Sequence, residues 1–329
     1  MRSSTAAAEG ERDDTRLRKP VEEHVRVDHI AVCICTYRRP AQLTKLLSEI
    51  EKQQTCGGFT FSVVVVDNDA AESARGAVEA FAAGSSVRVE YYCERTQNIS
   101  LARNRAVMNA TGEYVALIDD DEWPGAQWLL NSYEAARRYK ADGVLGPVRP
   151  CFEHDPPQWV VRGRFHEKPR HKPPQTGAVL KWNETRTSNV LLKRDVFGDG
   201  ADLFDPRFGL GGGEDVEFFG RMIAKGRVFV WCQEAHVVEL IPAERCTRKD
   251  MLRRALLRGR MSLLLPTAGL LDSVKSVLAL SLYSVSLPVL FLLGHHLFMT
   301  YLVKCCDHLG KLITMCRLRL IKERYVTNR

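Results

Sequence analysis

Three consecutive carboxylates, Asp119, Asp120 and Asp121, end the apolar run 114–118. Carboxylates this close repel one another and are costly to desolvate unless a cation sits among them. A short buried strand that delivers them to its C-terminal edge is one way to present a divalent metal to a phosphate-bearing ligand. The plainer alternative is a solvated acidic turn before a helix opened by Trp123-Pro124. A second acidic pair, Glu214-Asp215, follows the glycine-rich run 208–213 and enters a helix. As a helix cap it contributes roughly 0.3–1 kcal/mol through the macrodipole. That role explains one acid after the glycines, but not its pairing with a metal-type cluster upstream. The glycine-rich run is no phosphate loop, because no Gly-Lys-Ser/Thr follows it, and it lacks the strand context of a dinucleotide fingerprint.

The elements that must position these acids alternate. Strands are expected at 29–36, 61–66, 87–92, 113–118, 143–148, 187–192 and 227–232. Helices are expected at 40–53, up to 83, 98–110, 127–140 and 216–225. In the helix opened by Pro40, Leu43, Leu46, Leu47 and Ile50 share one face. This rhythm implies an α/β fold with a mainly parallel sheet covered on both faces. Polar ligands then gather at the strands' carboxyl ends, where Thr36, Asp67 and Asp119 all fall. From 150 to 181 the pattern breaks into a proline- and arginine-rich segment, the kind of long loop that serves as a functional lid or is disordered.

Composition narrows the partners. The chain has 329 residues, 45% hydrophobic and 26% charged, with a net charge of +7. That is enough for one large or two modest domains with a substantial core, and it suits an anionic partner. The ten cysteines include no Cys-x-x-Cys pair. Cys33 and Cys35 read as small core residues, and a reducing compartment is expected. Nucleic acid is disfavoured, since the basic residues concentrate beside an apolar segment without an aromatic stacking pattern.

Several ordered motifs resemble family-two glycosyltransferases of the GT-A fold. They are Thr36-Tyr37-Arg38-Arg39-Pro40, Val66-Asp67-Asn68, Ala102-Arg-Asn-Arg105 before Gly112-Glu-Tyr114, Asp119 to Asp121, and Gly213-Glu214-Asp215. Residues 239–245 followed by a basic helix resemble the bacterial exopolysaccharide-assembly members. The resemblance implies a Rossmann-like, mixed but mainly parallel sheet and inverting, metal-dependent transfer from a nucleotide sugar, a UDP-sugar by expectation. It implies that Thr36, Tyr37, Arg38, Asp67, Arg103, Asp119 and Asp120 bind the donor, with Asp67 accepting from a uracil imide N–H. Asp121 would bind Mg²⁺ or Mn²⁺, and Asp215 would be the general base. Glu214, His236 and Arg245 are accessory candidates, His236 as a third metal ligand. Plainer roles stand beside these: a strand-end cap for Thr36, an exposed helical position for Arg103 and a structural histidine for His236. The Gln-x-x-Arg-Trp motif of processive members is absent after Asp215, so one sugar per encounter is expected. Two other readings remain: a nucleotidyltransferase on a related sheet, or a membrane-bound scaffold with a transferase-like domain.

The far end of the chain points to a membrane. Residues 245–260 carry seven arginines and lysines against Asp250 alone. This reads as a basic amphipathic helix for an anionic membrane surface, or as one whose arginines contact the donor diphosphate. Residues 277–303 contain no Asp, Glu, Lys or Arg, a run long enough to span a bilayer. Basic residues flank both ends, Arg317 and Arg319 among them, which favours a re-entrant or interfacial hairpin bent near Pro288 with both ends cytoplasmic. The expected division is a disordered leader at 1–28, a catalytic GT-A domain at 29–243, the basic helix at 244–266 and membrane-associated helices with a basic tail at 267–329. The expected acceptor is a lipid-linked or membrane glycan at the inner (plasma) membrane, with the catalytic domain cytoplasmic.

Overall fold

The computed structural model describes residues 27–168, 173–200, 203–262 and 270–316. The expected leader therefore lies almost wholly outside the described residues, as do Arg317 and Arg319. The chain begins with β1 (Asp28–Thr36), α1 (Pro40–Ile50), β2 (Phe59–Asp67), α2 (Arg75–Gly84), β3 (Val89–Cys93), α3 (Ile99–Asn109) and β4 (Tyr114–Asp119). Next come β5 (Glu122–Pro124), α4 (Trp128–Arg138), β6 (Gly143–Leu145), β7 (Val148–Phe152), α5 (Gln158–Arg162) and β8 (Val190–Lys193). The C-terminal part holds α6 (Glu214–Ala224), β9 (Phe229–Trp231), β10 (Val237–Ile241), α7 (Arg248–Met261), α8 (Leu270–Leu293) and α9 (His295–Met315).

Seven strands form the main sheet in the order β3-β2-β1-β4-β8-β6-β9. All neighbouring pairs are parallel except those made by β8, which runs antiparallel to β4 and β6. Alternate residues of β1 enter different cores. Ile30, Val32 and Ile34 pack on one face with Leu43, Leu46, Leu47 and Ile50 of α1. Ala31 and Cys33 pack on the other with Ala102 and Ala106 of α3. This is the two-sided burial that a β-branched parallel strand requires. Each of those α1 side chains contributes about 1.5–3 kcal/mol by leaving water.

A second sheet, β5-β10-β7, stands beside the first, and the strand expected at 143–148 is divided between the two. Pro147 has no N–H to continue the ladder, so β6 stays in the main sheet and β7 pairs with β10. Strand β10 escapes the sequence pattern because Glu239, a charged residue, occupies an inward position and is buried.

The two C-terminal helices reverse direction, but not at the expected Pro288. Helix α8 continues through Pro288, and the chain turns at Gly294, whose φ of 153° lies outside helical space. A proline kinks a helix more readily than it reverses one, whereas glycine can leave the helical region altogether. Rings at 283/301 and 291/298 and the Ser284–Cys305 contact pair the helices antiparallel. Over Val274–Leu293 the first helix is long and apolar enough to cross a membrane, with a mean hydropathy of 2.1. Leu278, Leu282, Val285, Val289 and Leu292 are exposed on it.

Helix α9 also packs on α7. At Gly310 a Cβ would fall 2.1 Å from the Leu256 carbonyl oxygen, so the two backbones touch where a side chain cannot fit. Gly310→Val is expected to destabilise the α7–α9 contact by about 1–3 kcal/mol through overpacking. Urea unfolding and protease cleavage between α7 and α8 will measure it, and wild-type values for both would show that the contact is dispensable.

Candidate active site

The β1 register places the site. Thr36 lies opposite Asp67, and Cys35 lies opposite Asp119, so the ends of β1, β2 and β4 share one rim. Beyond them opens a cleft of about 480 Å³. Its walls bring together Thr36, Tyr37 and Arg39 from the β1–α1 turn, Asn68 after β2, Arg103 of α3 and Asp119 to Asp121. The 209–212 loop, Glu214, Glu239 and Arg245 complete it, with Lys168 from the irregular segment and Arg254, Leu257 and Arg258 from α7.

The acids of the rim are held by cations from distant segments. Arg38 has a left-handed φ of 55°, and its guanidinium pairs with Asp69. The next residue, Arg39, donates from one nitrogen, Nη1, to Asp120 Oδ1 at 2.9 Å and to Asp121 Oδ2 at 3.0 Å. The Thr36 hydroxyl donates to Asp120 Oδ2 at 2.8 Å. Even so, burial pushes Asp120 up to about 6 against the pull of Arg39. Burial likewise raises Asp121 against Arg39. Arg245 lies 3.7 Å from Asp121 and 2.9 Å from Glu239. Burial works to raise Glu239, but Lys168 at 2.9 Å and Arg245 outweigh it and hold the carboxyl down at about 2. Glu122 is wholly buried, and burial drives its carboxyl well above the carboxylate range.

Across the cleft, Arg103 pairs with Glu214 and, at 3.4 Å, with Asp119. Asp119 is the most open of the three aspartates, its side chain 42% exposed. The turn into α6 depends on Gly213, whose φ of 96° is open to glycine at little cost. That turn sets Glu214 in the wall and Asp215 beside it. Burial, with the neighbouring Glu214, pushes Asp215 up to about 6, while Arg103 pulls it down and Asp119 adds to the rise. An acid raised this far is suited to exchanging a proton near neutrality.

Some expected residues stand elsewhere. Asp67 is fully buried and does not line the cleft. Its carboxylate accepts from the Asp69 and Ala74 N–H groups and the Tyr91 hydroxyl, organising its own loop. Asn68 is the residue of that loop on the cleft wall. Arg38 is likewise outside the lining. His236 lies in a different cleft with Gln54, Gln127 and Gln233, so it is no third ligand beside Asp121. Conversely, Arg39, Lys168 and Glu239 line the site without having been singled out as donor ligands, whereas Arg254 and Arg258 belong to the basic helix whose arginines are expected at a membrane surface or at the donor diphosphate. The Arg39-Pro40 step and the α7 arginines are visible in sequence. Lys168 carries no local signal, and Glu239 is visible only as the first residue of the 239–245 motif.

The donor set suits a hard cation. Every acidic group here offers oxygen, and Mg²⁺ is commonly held by one or two carboxylates plus substrate phosphates rather than by an all-protein cage. Among the described residues no group of three or more His, Cys, Asp or Glu side chains is arranged to hold a metal. The carboxylate oxygens would suit a metal whose remaining ligands come from substrate phosphates.

Residues 31–200 match glycosyl transferase family 2. Over 239 residues the chain is 35% identical to the succinoglycan biosynthesis protein ExoM of Rhizobium meliloti (strain 1021), covering 70% of this chain and 73% of that protein. It is 25% identical over 239 residues to hyaluronan synthase of Pasteurella multocida, covering 64% of this chain and 24% of that protein. Among solved structures, S. aureus TarS 1-349 in complex with UDP-GlcNAc is similar in fold, with a TM-score of 0.50 at 13% identity, covering 91% of this chain and 98% of that one. With the mainly parallel sheet and its acid-rimmed edge, these matches set aside the nucleotidyltransferase and scaffold readings: the chain belongs to glycosyl transferase family 2 and is a glycosyltransferase.

Proposed function

We propose that this glycosyltransferase moves one sugar from a UDP-sugar to a hydroxyl of a lipid-linked or membrane glycan, with inversion. The observation that carries the reading is the cleft itself. It joins a strand-end aspartate cluster to Glu214 at the start of α6, and Asp215, the next residue along that turn, stands just outside the lining. Thr36, Tyr37, Asn68 and Arg103 would hold the nucleotide side, and Asp119 and Asp120 the ribose and nearby groups. Asp121 would hold Mg²⁺ or Mn²⁺, which when bound neutralises charge on the departing diphosphate. Arg39 and Arg245 stand beside Asp121 and would meet the phosphates. The acceptor oxygen attacks the anomeric carbon and gives its proton to Asp215. The bond to the diphosphate breaks, and the electron pair leaves with that group. A single displacement inverts the anomeric centre. The UDP-GlcNAc in the TarS structure supports a UDP-sugar donor, and the succinoglycan role of ExoM supports an exopolysaccharide product.

We further propose that the expected 29–243 unit is completed by Arg245 and α7, which line the cleft, and that α8 and α9 dock it on the cytoplasmic face of the inner membrane. The exposed apolar face of α8 and the basic α7 support this placement.

Three measurements test these assignments. Asp215→Asn is expected to lower turnover by about 10²–10⁴-fold while UDP binding, followed by calorimetry, persists; normal turnover would remove Asp215 as the base. A base works unprotonated, and Asp215 is raised to about 6. Activity should therefore be full above that pH and fall with unit slope in log kcat/KM below it. Asp120 is raised to a similar value, so the Asp215→Asn profile is needed to assign the midpoint to Asp215. Leu282→Glu with Val289→Glu places charges on the exposed α8 face, each costing about 2.5–3.5 kcal/mol at a bilayer centre. Co-sedimentation with anionic vesicles should be lost while donor hydrolysis continues, and undiminished co-sedimentation would take the membrane role from α8.

A further inference from the structure

The position beside Asp121 already holds a cation. One nitrogen of Arg39 sits between Asp120 and Asp121, at 2.9 and 3.0 Å, with its side chain 17% exposed. Arg245 approaches Asp121 from the other side at 3.7 Å. We propose that Arg39 is a resident placeholder for the divalent cation, so that metal and donor enter together and only a donor with a diphosphate admits the metal. The proposal rests on the reading of Asp121 as the metal ligand and deepens it.

The argument is one of charge. The cleft lining carries five carboxylates and six basic side chains, so it is balanced to within one formal charge before any ligand arrives. A bare divalent cation would raise that balance by two in a poorly solvated wall and would have to displace the Arg39 guanidinium from its two acids. Displaced, Arg39 needs a new anion within reach. A nucleoside diphosphate sugar brings two negative charges at the diphosphate and cancels the added cation. A donor with a single phosphate brings one and leaves half of the new charge uncompensated. Binding linked in this way is reciprocal: the donor raises metal affinity by the same factor as the metal raises donor affinity.

The geometry supports the exchange. Arg39 leaves β1 one residue after the left-handed Arg38, and it precedes Pro40, which opens α1. Its backbone sits at the rim, and only its long side chain reaches the two acids, so the exchange asks for a change in that side chain alone. Arg245 has a second partner in Glu239 and can release Asp121 without losing its own neutralisation.

The test is Mn²⁺ titration of the full-length protein, read by the electron paramagnetic resonance signal of free Mn²⁺. The wild-type protein should bind Mn²⁺ weakly alone and about tenfold or more tightly with UDP, within the 5–150-fold range usual for coupled sites. UMP, a monoester with about one negative charge fewer than UDP at neutral pH, should give less enhancement. Arg39→Gln should bind Mn²⁺ about tenfold more tightly without nucleotide, with a smaller UDP enhancement, as expected when a competing charge is removed. Arg39→Lys, which keeps the charge, should resemble wild type. Equal enhancement of the wild type by UDP and UMP would overturn the proposal without any variant. So would a folded Arg39→Gln protein, checked by circular dichroism, whose nucleotide-free affinity is no greater than wild type. Asp121→Asn separates the two readings. Loss of Mn²⁺ binding with UDP present keeps the ligand assignment whatever Arg39 does, and retention overturns the assignment itself and the placeholder with it.

Discussion

Carboxylates gathered at the end of buried strands remain charged only if cations are built in among them, and this compensation shapes the molecule. Asp120, Asp121 and Glu239 share a wall from which water is largely displaced, with Asp119 at its open edge. No single segment supplies their partners. Arg39 comes from the turn after β1, Arg103 from α3, Lys168 from the segment after α5 and Arg245 from the turn before α7. Where the compensation is strong, as at Glu239, the acid stays ionised far below neutrality; where burial wins, as at Asp120 and Asp215, the proton is held until near pH 6. One fold thus keeps structural acids fixed in charge and leaves others poised to respond to a ligand.

The same compensation joins the cleft to the C-terminal helices. Glu239 on β10 anchors Arg245, and the chain passes directly from there into α7, whose Arg254 and Arg258 face the cleft. Arg258 pairs with Asp307 of α9 at 3.0 Å. Val160, Ile241, Cys246, Met251, Ala255 and Val303 form a separate apolar cluster that fastens these helices to α5 and the small sheet. The apolar α8 is therefore tied to the wall of the active site through α9 and α7.

Much of this was legible in sequence because local chemistry carried it. Continuous apolar runs and helical stripes marked the parallel half of the main sheet, and β1, β2 and β4 with their flanking helices fall where the pattern places them. Acids at strand ends marked the rim. The pattern failed where a residue serves a distant partner. Strand β10 was hidden by its inward glutamate, Lys168 sat in an irregular segment without periodicity, and His236 appeared near the site in sequence yet faces another cleft. Asp67 ends its strand as expected, but its carboxylate is spent on backbone N–H groups of its own loop.

The amino-acid order alone determined that acids would stand at the carboxyl ends of buried strands, because an apolar run and the acid that ends it are properties of a single segment. It also determined that a long apolar helix would follow a basic one. Which guanidinium meets which carboxylate, and hence which acids are neutralised and which are raised, was decided by the tertiary structure. Electrostatic energy depends on separation in space and on local burial, and residues 39 and 121, or 168 and 239, acquire both only when the sheets are assembled.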